Sequence, residues 1–331
     1  MKNTIVIAML LFCTATIIGQ QMENYKRTMK LMGSRFDITV VANEKEQGDA
    51  YIDMAVAEIT RIEKLISSWD PNSQTSKINA MAGIQPVKVD PELLNLIKRC
   101  VAISKLTDGA FDISYASMDR IWKYDGSMTV MPSETEIANS IRNVGYENII
   151  IDDTNETVFL KREGMKIGFG AVGKGYAADR AKALLVTEGV RSGIINASGD
   201  LNAWGDQADG SDWMVAITNP LNNKRAFSWL PVCNSAVVTS GNYEKFVSFN
   251  SIRYSHIIDP RTGYPSTGVL SVSVFTENAE LADAISTSIF VMGLETGLNF
   301  VNQLKGIECI IVDENNTLHA SNQIELSKYK L

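Results

Sequence analysis

The feature that most limits the fold of this chain is a run of short strand patterns between Ser192 and Phe275. Glycine, asparagine and proline residues interrupt these patterns, which is typical of turns between strands. Helical patterns lie before and after the run, and strands and helices do not alternate regularly along the chain. Because a doubly wound parallel sheet needs that alternation, we predict an α+β fold with mixed or antiparallel sheets and packed helices, and not a Rossmann fold.

Hydrophobic periodicity supplies the individual elements. A loosely alternating stretch at residues 27–42 predicts a first strand, and apolar residues spaced three and four apart predict helices after it. Residues 133–136 have the sequence of a capping box, which predicts the start of a further helix. The other predicted elements are helices over about residues 50–66, 91–106, 173–188 and 279–292, and strands near 149–152, 157–161, 307–312 and 317–320.

The N-terminus has the order of a secretory signal peptide. Lys2 gives a positive start, an uncharged apolar run follows over residues 4–18, and Gly19 precedes two polar residues. This run is short for a membrane span, and no later stretch of the sequence is long and apolar enough for one. We therefore predict a signal peptide over residues 1–20 and one exported domain over residues 21–331.

Cysteine usage and charge exclude several classes of protein. Cys100, Cys233 and Cys309 lie in apolar stretches without the spacing of a disulfide framework or a zinc site, so each is expected to be buried. Leu10-Leu11-Phe12 is a poor lipoprotein box before Cys13, which favours a protein without a lipid anchor. The formal net charge of −7 and the lack of a basic run argue against nucleic acid as a partner.

Residues 168–175, with the sequence GFGAVGKG, lead into a predicted helix. They satisfy the G-x-G-x-x-G spacing, but the acid that a dinucleotide-binding fold needs is missing, since the next strand ends in Asn196. They nearly match a P-loop, but Gly175 stands where Ser or Thr would bind magnesium. What remains is a site where backbone amides, a helix N-terminus and Lys174 could face a phosphate, or else a plain glycine turn.

The predicted helix at residues 279–292 carries two polar side chains on one face. Asp283 and Thr287 are four residues apart, while apolar residues occupy most of the remaining surface. Such a helix is expected to be buried, and a buried carboxylate needs a partner. A carboxylate and a hydroxyl suit Mg²⁺, which takes few protein oxygens, although a solvated polar face is the alternative.

Two further stretches could carry chemistry. His256 follows an alternating strand pattern and precedes the tight turn Asp259-Pro260-Arg261-Thr262-Gly263, so it is either a packed core histidine or a proton acceptor. Asp108 and Asp112 flank an aromatic residue, which by itself indicates only a turn at the end of a helix.

Seven stretches occur together in one order, and as a set they resemble the ApbE family of flavin transferases from about residue 28 to residue 312. The histidine-to-glycine stretch and the Asp-x-x-x-Thr stretch are the specific ones. In chain order the seven are Met32–Ser34, Ser68–Ser73, Asp108–Asp112, Gly173–Asp179, Asn196–Asp200, Ser255–Gly263 and Ala282–Thr287.

The resemblance implies an enzyme that binds FAD and Mg²⁺ and attaches FMN, through a phosphoester, to a Ser or Thr of an acceptor protein, with release of AMP. By position, the carbonyl of Ala171 and the side chains of Asp283 and Thr287 are expected to hold Mg²⁺. Trp69 stands where the family often has Tyr, and Gly168 replaces a common Asp. The residues expected to line the FAD site are Met32, Trp69, Ala110, Phe111, Asp112, Lys174 and Ile257.

The residues and the resemblance lead to one mechanism with three catalytic side chains. Lys174 and the metal bound by Asp283 are expected to balance the charge on the pyrophosphate, while His256 takes the proton from the incoming hydroxyl. The acceptor is expected in a membrane or exported redox system, with the enzyme in the periplasm or on the outer face of the inner membrane.

Three alternatives are left open by the sequence. The first is a hydrolase that splits FAD into FMN and AMP at the same site. The second is an exported protein that binds flavin without turnover. The third, an oxidoreductase with a Rossmann fold, would require a preference for NAD over FAD.

Overall fold

Antiparallel strands dominate the protein, which the computed structural model describes over residues 22–219, 222–242, 246–250 and 252–325. The predicted signal peptide lies outside these residues. The strands are β1 (Glu23–Leu31), β2 (Ser34–Ala42), β3 (Val87–Lys88), β4 (Ile149–Asp152), β5 (Thr157–Leu160), β6 (Gly193–Ala197), β7 (Asp200–Trp204), β8 (Trp213–Asn219), β9 (Asn222–Val232), β10 (Ala236–Gly241), β11 (Phe246–Phe249), β12 (Ile252–Ser255), β13 (Val269–Thr276), β14 (Glu308–Asp313) and β15 (Leu318–Ala320).

Helices form the second component of the fold. In the same described residues they are α1 (Lys45–Ile66), α2 (Gln74–Ala80), α3 (Pro91–Leu106), α4 (Glu134–Ser140), α5 (Gly173–Thr187), α6 (Ala279–Met292) and α7 (Leu294–Val301). None of them is long and apolar enough to cross a membrane. The predicted capping box is confirmed, since Ser133 and Glu136 each accept from the other's backbone N–H at the start of α4.

One large sheet organises the molecule. Among the described residues, eight strands pair in the order β1-β2-β6-β7-β10-β13-β14-β15, and all of these neighbours are antiparallel. Side chains alternate between its two faces, so Val238 belongs to the core beneath the helices while Val237 belongs to a core beneath the β8–β9 hairpin. The predicted α+β class is confirmed, and the sheet is not the parallel one of a Rossmann fold.

Two expectations are corrected by the structure. The single strand predicted at residues 27–42 is a hairpin, because Met32 and Gly33 both adopt positive φ angles of 49° and 72° and close a two-residue turn between β1 and β2. Cys233 is exposed, whereas Cys100 and Cys309 are buried as expected. Cys233 follows β9 immediately and lies in a turn between strands, outside either apolar core.

Candidate active site

A cavity of about 400 Å³ lies where α5, α6 and the ends of β7 and β10 meet. Its walls come from segments that are far apart in sequence, including the turn before the short 3₁₀ helix at Ile113–Ser117, the glycine stretch and the residues after β12. Most of the predicted site residues line it, namely Ala110, Phe111, Asp112, Ala171, Lys174, His256, Ile257, Asp283 and Thr287.

Helix α6 brings Asp283 and Thr287 to this cavity. The helix is packed on several sides, with Ala282, Ile285 and Phe290 fully buried, while Asp283 and Thr287 face the cavity. Asp283 is 4% exposed. Thr287 Oγ1 lies 3.4 Å from Ser240 Oγ on β10, which links the helix to the sheet beside the carboxylate.

Two buried carboxylates share one ammonium group at the bottom of the cavity. Lys174 Nζ contacts the carboxylate of Asp200 and lies 3.8 Å from Asp283 Oδ2. Burial raises the pKa of Asp283, and burial together with the neighbouring charge of Asp283 raises the pKa of Asp200. Burial opposes the charge of Lys174, but the two carboxylates outweigh it and raise its pKa, so the lysine is charged at neutral pH.

The start of α5 fits closely against the start of α6. Gly175 N–H donates to Asp283 Oδ2 across 3.4 Å, a long hydrogen bond. A Cβ atom at Gly175 would overlap the backbone carbonyl of Ala279, so no larger residue fits without moving one of the helices. This explains why glycine stands where a P-loop has Ser or Thr: the position serves helix packing.

Asp112 lines the cavity, but the protein backbone already uses its carboxylate. Its Oδ1 accepts from Ser114 N–H at 2.7 Å and its Oδ2 accepts from Tyr146 N–H at 2.8 Å. Burial raises the pKa of Asp112 despite these bonds. The carboxylate therefore fixes the turn whose other residues, Ala110 and Phe111, form the buried wall beside it.

His256 and Ile257 come directly after β12 and also line the cavity. Ile257 N–H donates to Ser255 Oγ at 3.0 Å, which bends the chain into the following turn. Trp122 Nε1 donates to the carbonyl of Gly263 at 3.0 Å and fastens that turn to its small apolar core. His256 is exposed to the cavity and meets the ring of Tyr124 edge-on, with 6.4 Å between ring centroids.

Met32 and Trp69 do not line the cavity. Met32 sits in the β1–β2 turn, where its N–H donates to Glu63 Oε2 at 3.2 Å. Trp69 is 77% exposed, and the guanidinium of Arg120 lies 4.8 Å from the centre of its ring. Their predicted role in the FAD site therefore stays a prediction.

Sequence reasoning missed several cavity residues. Asp200 is the clearest of these. It ends the stretch Asn196–Asp200, which by itself indicates no role for the carboxylate, and only the packing of β7 against α5 shows that Asp200 pairs with Lys174. Tyr115, Met118 and Ser240 also line the cavity and belong to patterns without a distinctive signal. Gly168 lines it too.

The donor set fits Mg²⁺. Within the described residues, no three Asp, Glu, His or Cys side chains gather as a metal cluster. The three ligands that the resemblance implies, Asp283, Thr287 and the carbonyl of Ala171, belong to residues that all line the cavity. Such a small set of hard oxygens is what Mg²⁺ accepts when water and phosphate complete its shell. When Asp200 and Asp283 are both ionised, they exceed the single ammonium of Lys174 by one negative charge, and a divalent cation would favour that state.

Known proteins are similar to this chain in sequence and in fold. A curated FAD:protein FMN transferase of Klebsiella pneumoniae is 29% identical over 89% of this chain and 90% of its own length, and one of Treponema pallidum is 27% identical over 91% and 88%. The crystal structure of the ApbE protein of Thermotoga maritima covers 93% of this chain and all of its own, at 30% identity and a TM-score of 0.83. The apo flavinyl transferase ApbE of Pseudomonas stutzeri covers 91% and 96%, at 25% identity and a TM-score of 0.80. The ApbE family model matches residues 32–311, and the chain therefore belongs to the ApbE family.

Proposed function

We propose that this protein transfers the FMN half of FAD to a Ser or Thr hydroxyl of an acceptor protein, in a reaction that depends on Mg²⁺ and releases AMP. The observation that carries the proposal is the cavity, which Lys174, Asp283, Thr287 and His256 all line in a chain of the ApbE family. Family membership and the names of the relatives support flavin transfer to protein. The requirement for Mg²⁺, the Ser or Thr of the acceptor and the release of AMP go beyond those names and are part of our proposal.

The reaction is a substitution at the phosphorus on the FMN side of the pyrophosphate. The acceptor oxygen forms a new bond to that phosphorus, the bond from phosphorus to the bridging oxygen breaks, and AMP leaves with the electron pair. The acceptor hydroxyl gives up its proton, so FAD and a protein hydroxyl yield an FMN phosphodiester of the protein, AMP and one proton.

The polar residues of the cavity have separate tasks in this scheme. Lys174 is held in place by Asp200 and faces the phosphates with a fixed positive charge. Asp283, Thr287 and the Ala171 carbonyl would hold Mg²⁺, which when bound balances negative charge on the pyrophosphate oxygens. His256, which is exposed and lines the cavity, takes the proton of the incoming hydroxyl, since free imidazole titrates near neutral pH.

We also propose that the mature protein acts outside the cytoplasm, in the periplasm or on the outer face of the inner membrane. The support is the order of charge, apolar run and small residue in residues 1–20. An acceptor in a membrane or exported redox system follows from that location.

The test uses purified protein, FAD and Mg²⁺, with and without an envelope fraction from a source strain that lacks this chain. Intact mass of the labelled acceptor should rise by one FMN, and AMP should appear in proportion to it. His256→Ala should abolish transfer while FAD still binds. His319→Ala is the matched control, because His319 pairs with Asp313 on β14, away from the cavity.

Two of the alternative functions, hydrolysis of FAD and flavin binding without turnover, give different results in that assay. AMP released at the full rate without any acceptor would indicate an FAD hydrolase. Bound FAD with no AMP under either condition would indicate a flavin-binding protein without turnover.

A further inference from the structure

Strand β10 runs past the end of its neighbour β7 on the wall of the cavity. Ala236 and Val237 pair with Asn202 and Leu201, but β7 begins at Asp200. On the other side, β10 stays paired with β13 as far as Gly241, which lies opposite Ser271. The end of β10 therefore has a strand on one side only among the described residues.

The pairing pattern shows which backbone groups face the missing neighbour. Asn242 N–H donates to Leu270 O on the β13 side, and Ala203 N–H donates to Ser235 O on the β7 side. Because backbone groups alternate along an antiparallel strand, Val238 and Ser240 point towards β13, and Thr239 and Gly241 point the other way.

The amide and carbonyl groups of Thr239 and Gly241 form what we call the open edge. Neither amide donates to a described residue outside the strand ladders, the ladder with β7 ends at Val237, and both residues line the cavity. Side-chain exposure rises here as well, since Val238 is 1% exposed and Thr239 is half-buried. The turn before β7, where Ser198 and Gly199 have φ angles of 60° and 106°, directs the chain away and leaves the edge uncovered.

The proposed reaction restricts what can occupy this edge. The acceptor hydroxyl must approach a phosphorus held near Lys174 and Asp283, and Asp283 is 4% exposed. A Ser or Thr on an extended segment can enter a cavity that a flat protein surface would only cover. An extended segment must then satisfy its own backbone groups inside the cavity.

We propose that the open edge binds the acceptor protein as an added β-strand, so that Thr239 and Gly241 pair with the backbone on either side of the acceptor Ser or Thr. This proposal rests on the proposed function and specifies its second substrate. In strand addition of this kind, main-chain hydrogen bonds supply affinity and pockets for alternate side chains supply specificity. Ser240, which contacts Thr287 and Ser286, lies between the two pairing residues and brings the segment beside α6.

Two proline variants test the open edge. Thr239→Pro and Gly241→Pro each remove one outward N–H and place a ring where the acceptor strand would lie. Neither removes a backbone bond to β13, although Thr239→Pro also loses the 2.8 Å hydrogen bond between Thr239 Oγ1 and Ser273 Oγ. Both proteins should melt close to wild type and bind FAD normally, while labelling of the envelope fraction with FMN falls by about tenfold or more. Lys26→Pro is the matched control, because Lys26 has an outward N–H on the edge strand β1 and does not line the cavity.

The results separate this proposal from the proposed function. If wild-type protein labels no acceptor, the proposed function fails. If the wild-type protein and both proline variants label the acceptor equally well, only the proposal for the open edge is contradicted. Loss of FAD binding in the variants would assign the edge to the flavin donor, and unfolding of the variants would show that the amides are already paired; either result overturns the proposal.

Amide hydrogen exchange gives a second measurement that needs no variant. In the protein alone, the amides of Thr239 and Gly241 should exchange faster than those of Val238 and Ser240. A synthetic peptide that spans the FMN-labelled acceptor residue, with that residue replaced by Ala, should slow exchange at Thr239 and Gly241. Unchanged exchange at saturating peptide would contradict strand addition.

Discussion

The carboxylate of Asp179 in α5 accepts the backbone N–H of Ala279, the first residue of α6, across 2.8 Å. Its second oxygen accepts from Glu280 N–H at 2.9 Å. The residue that precedes α6, Asn278, makes no such bond with its side chain. The N-terminus of the helix that carries Asp283 is therefore capped from a neighbouring helix, which also carries Lys174.

This relationship predicts unequal effects for two substitutions. Asp179→Ala should lower the free energy of unfolding by about 1–2 kcal/mol, because two N–H groups lose a charged acceptor. Asn278→Ala is the control and should leave the melting temperature unchanged. Thermal melts of both variants measure the difference. Equal decreases in melting temperature would show that Asp179 does not act as the cap.

Asp283→Asn separates metal binding from helix packing. The substitution keeps the size of the side chain, and Lys174 retains Asp200 as its partner, so the fold should melt like wild type or slightly higher. Transfer of FMN should collapse, and the stabilisation that Mg²⁺ gives wild type, about 2.7 kcal/mol at 100 times the dissociation constant, should disappear.

The measurement is a set of thermal melts and transfer assays across a Mg²⁺ titration. Glu280→Gln is the control on the same helix, because Glu280 pairs with Arg99 away from the cavity. An unfolded Asp283→Asn protein would assign the carboxylate a structural role, since a broken buried pair typically costs about 3–5 kcal/mol. Wild-type transfer at low Mg²⁺ would remove the metal site from the mechanism.

Trp69 should contribute to FAD binding through its ring. Trp69→Ala is expected to weaken binding by about 0.5–1.5 kcal/mol, and Trp69→Tyr should largely preserve it, because either ring can stack on the flavin or the adenine. Neither change should alter the melting temperature, since the side chain is 77% exposed. Fluorescence titration with FAD measures the effect.

The control for that titration is Trp229→Ala on β9, an exposed tryptophan that does not line the cavity. FAD affinity equal to wild type in both Trp69 variants would mean that Trp69 serves only its contact with Arg120.

Export predicts a definite N-terminus. The mature protein from the source organism should begin close to Gln20 or Gln21, because the small residue Gly19 ends the apolar run. N-terminal sequencing of protein from the envelope fraction measures this directly. A native protein that retains Met1 would contradict both the signal peptide and the proposed location.

The sequence by itself determined the elements whose signals are local. Helix α6 was predicted over residues 279–292 and observed over Ala279–Met292, and α3 begins at Pro91 as predicted. Capping residues and apolar spacing act within a few residues, so they can be read without knowing the fold. The placement of Asp283 and Thr287 on one face follows from the same short spacing, and the α+β class follows from the order of the patterns.

Only the tertiary structure decided what meets across long separations. Asp200 contacts Lys174 because β7 packs beside α5, and the spacing of the two residues in the sequence does not indicate that contact. The turn at Met32 depends on two backbone angles that a strand-like composition conceals. The open edge of β10 exists because β7 begins at Asp200, only one residue before Leu201, which pairs with Val237. The length of one strand relative to its neighbour is set by register, which is a property of the folded sheet.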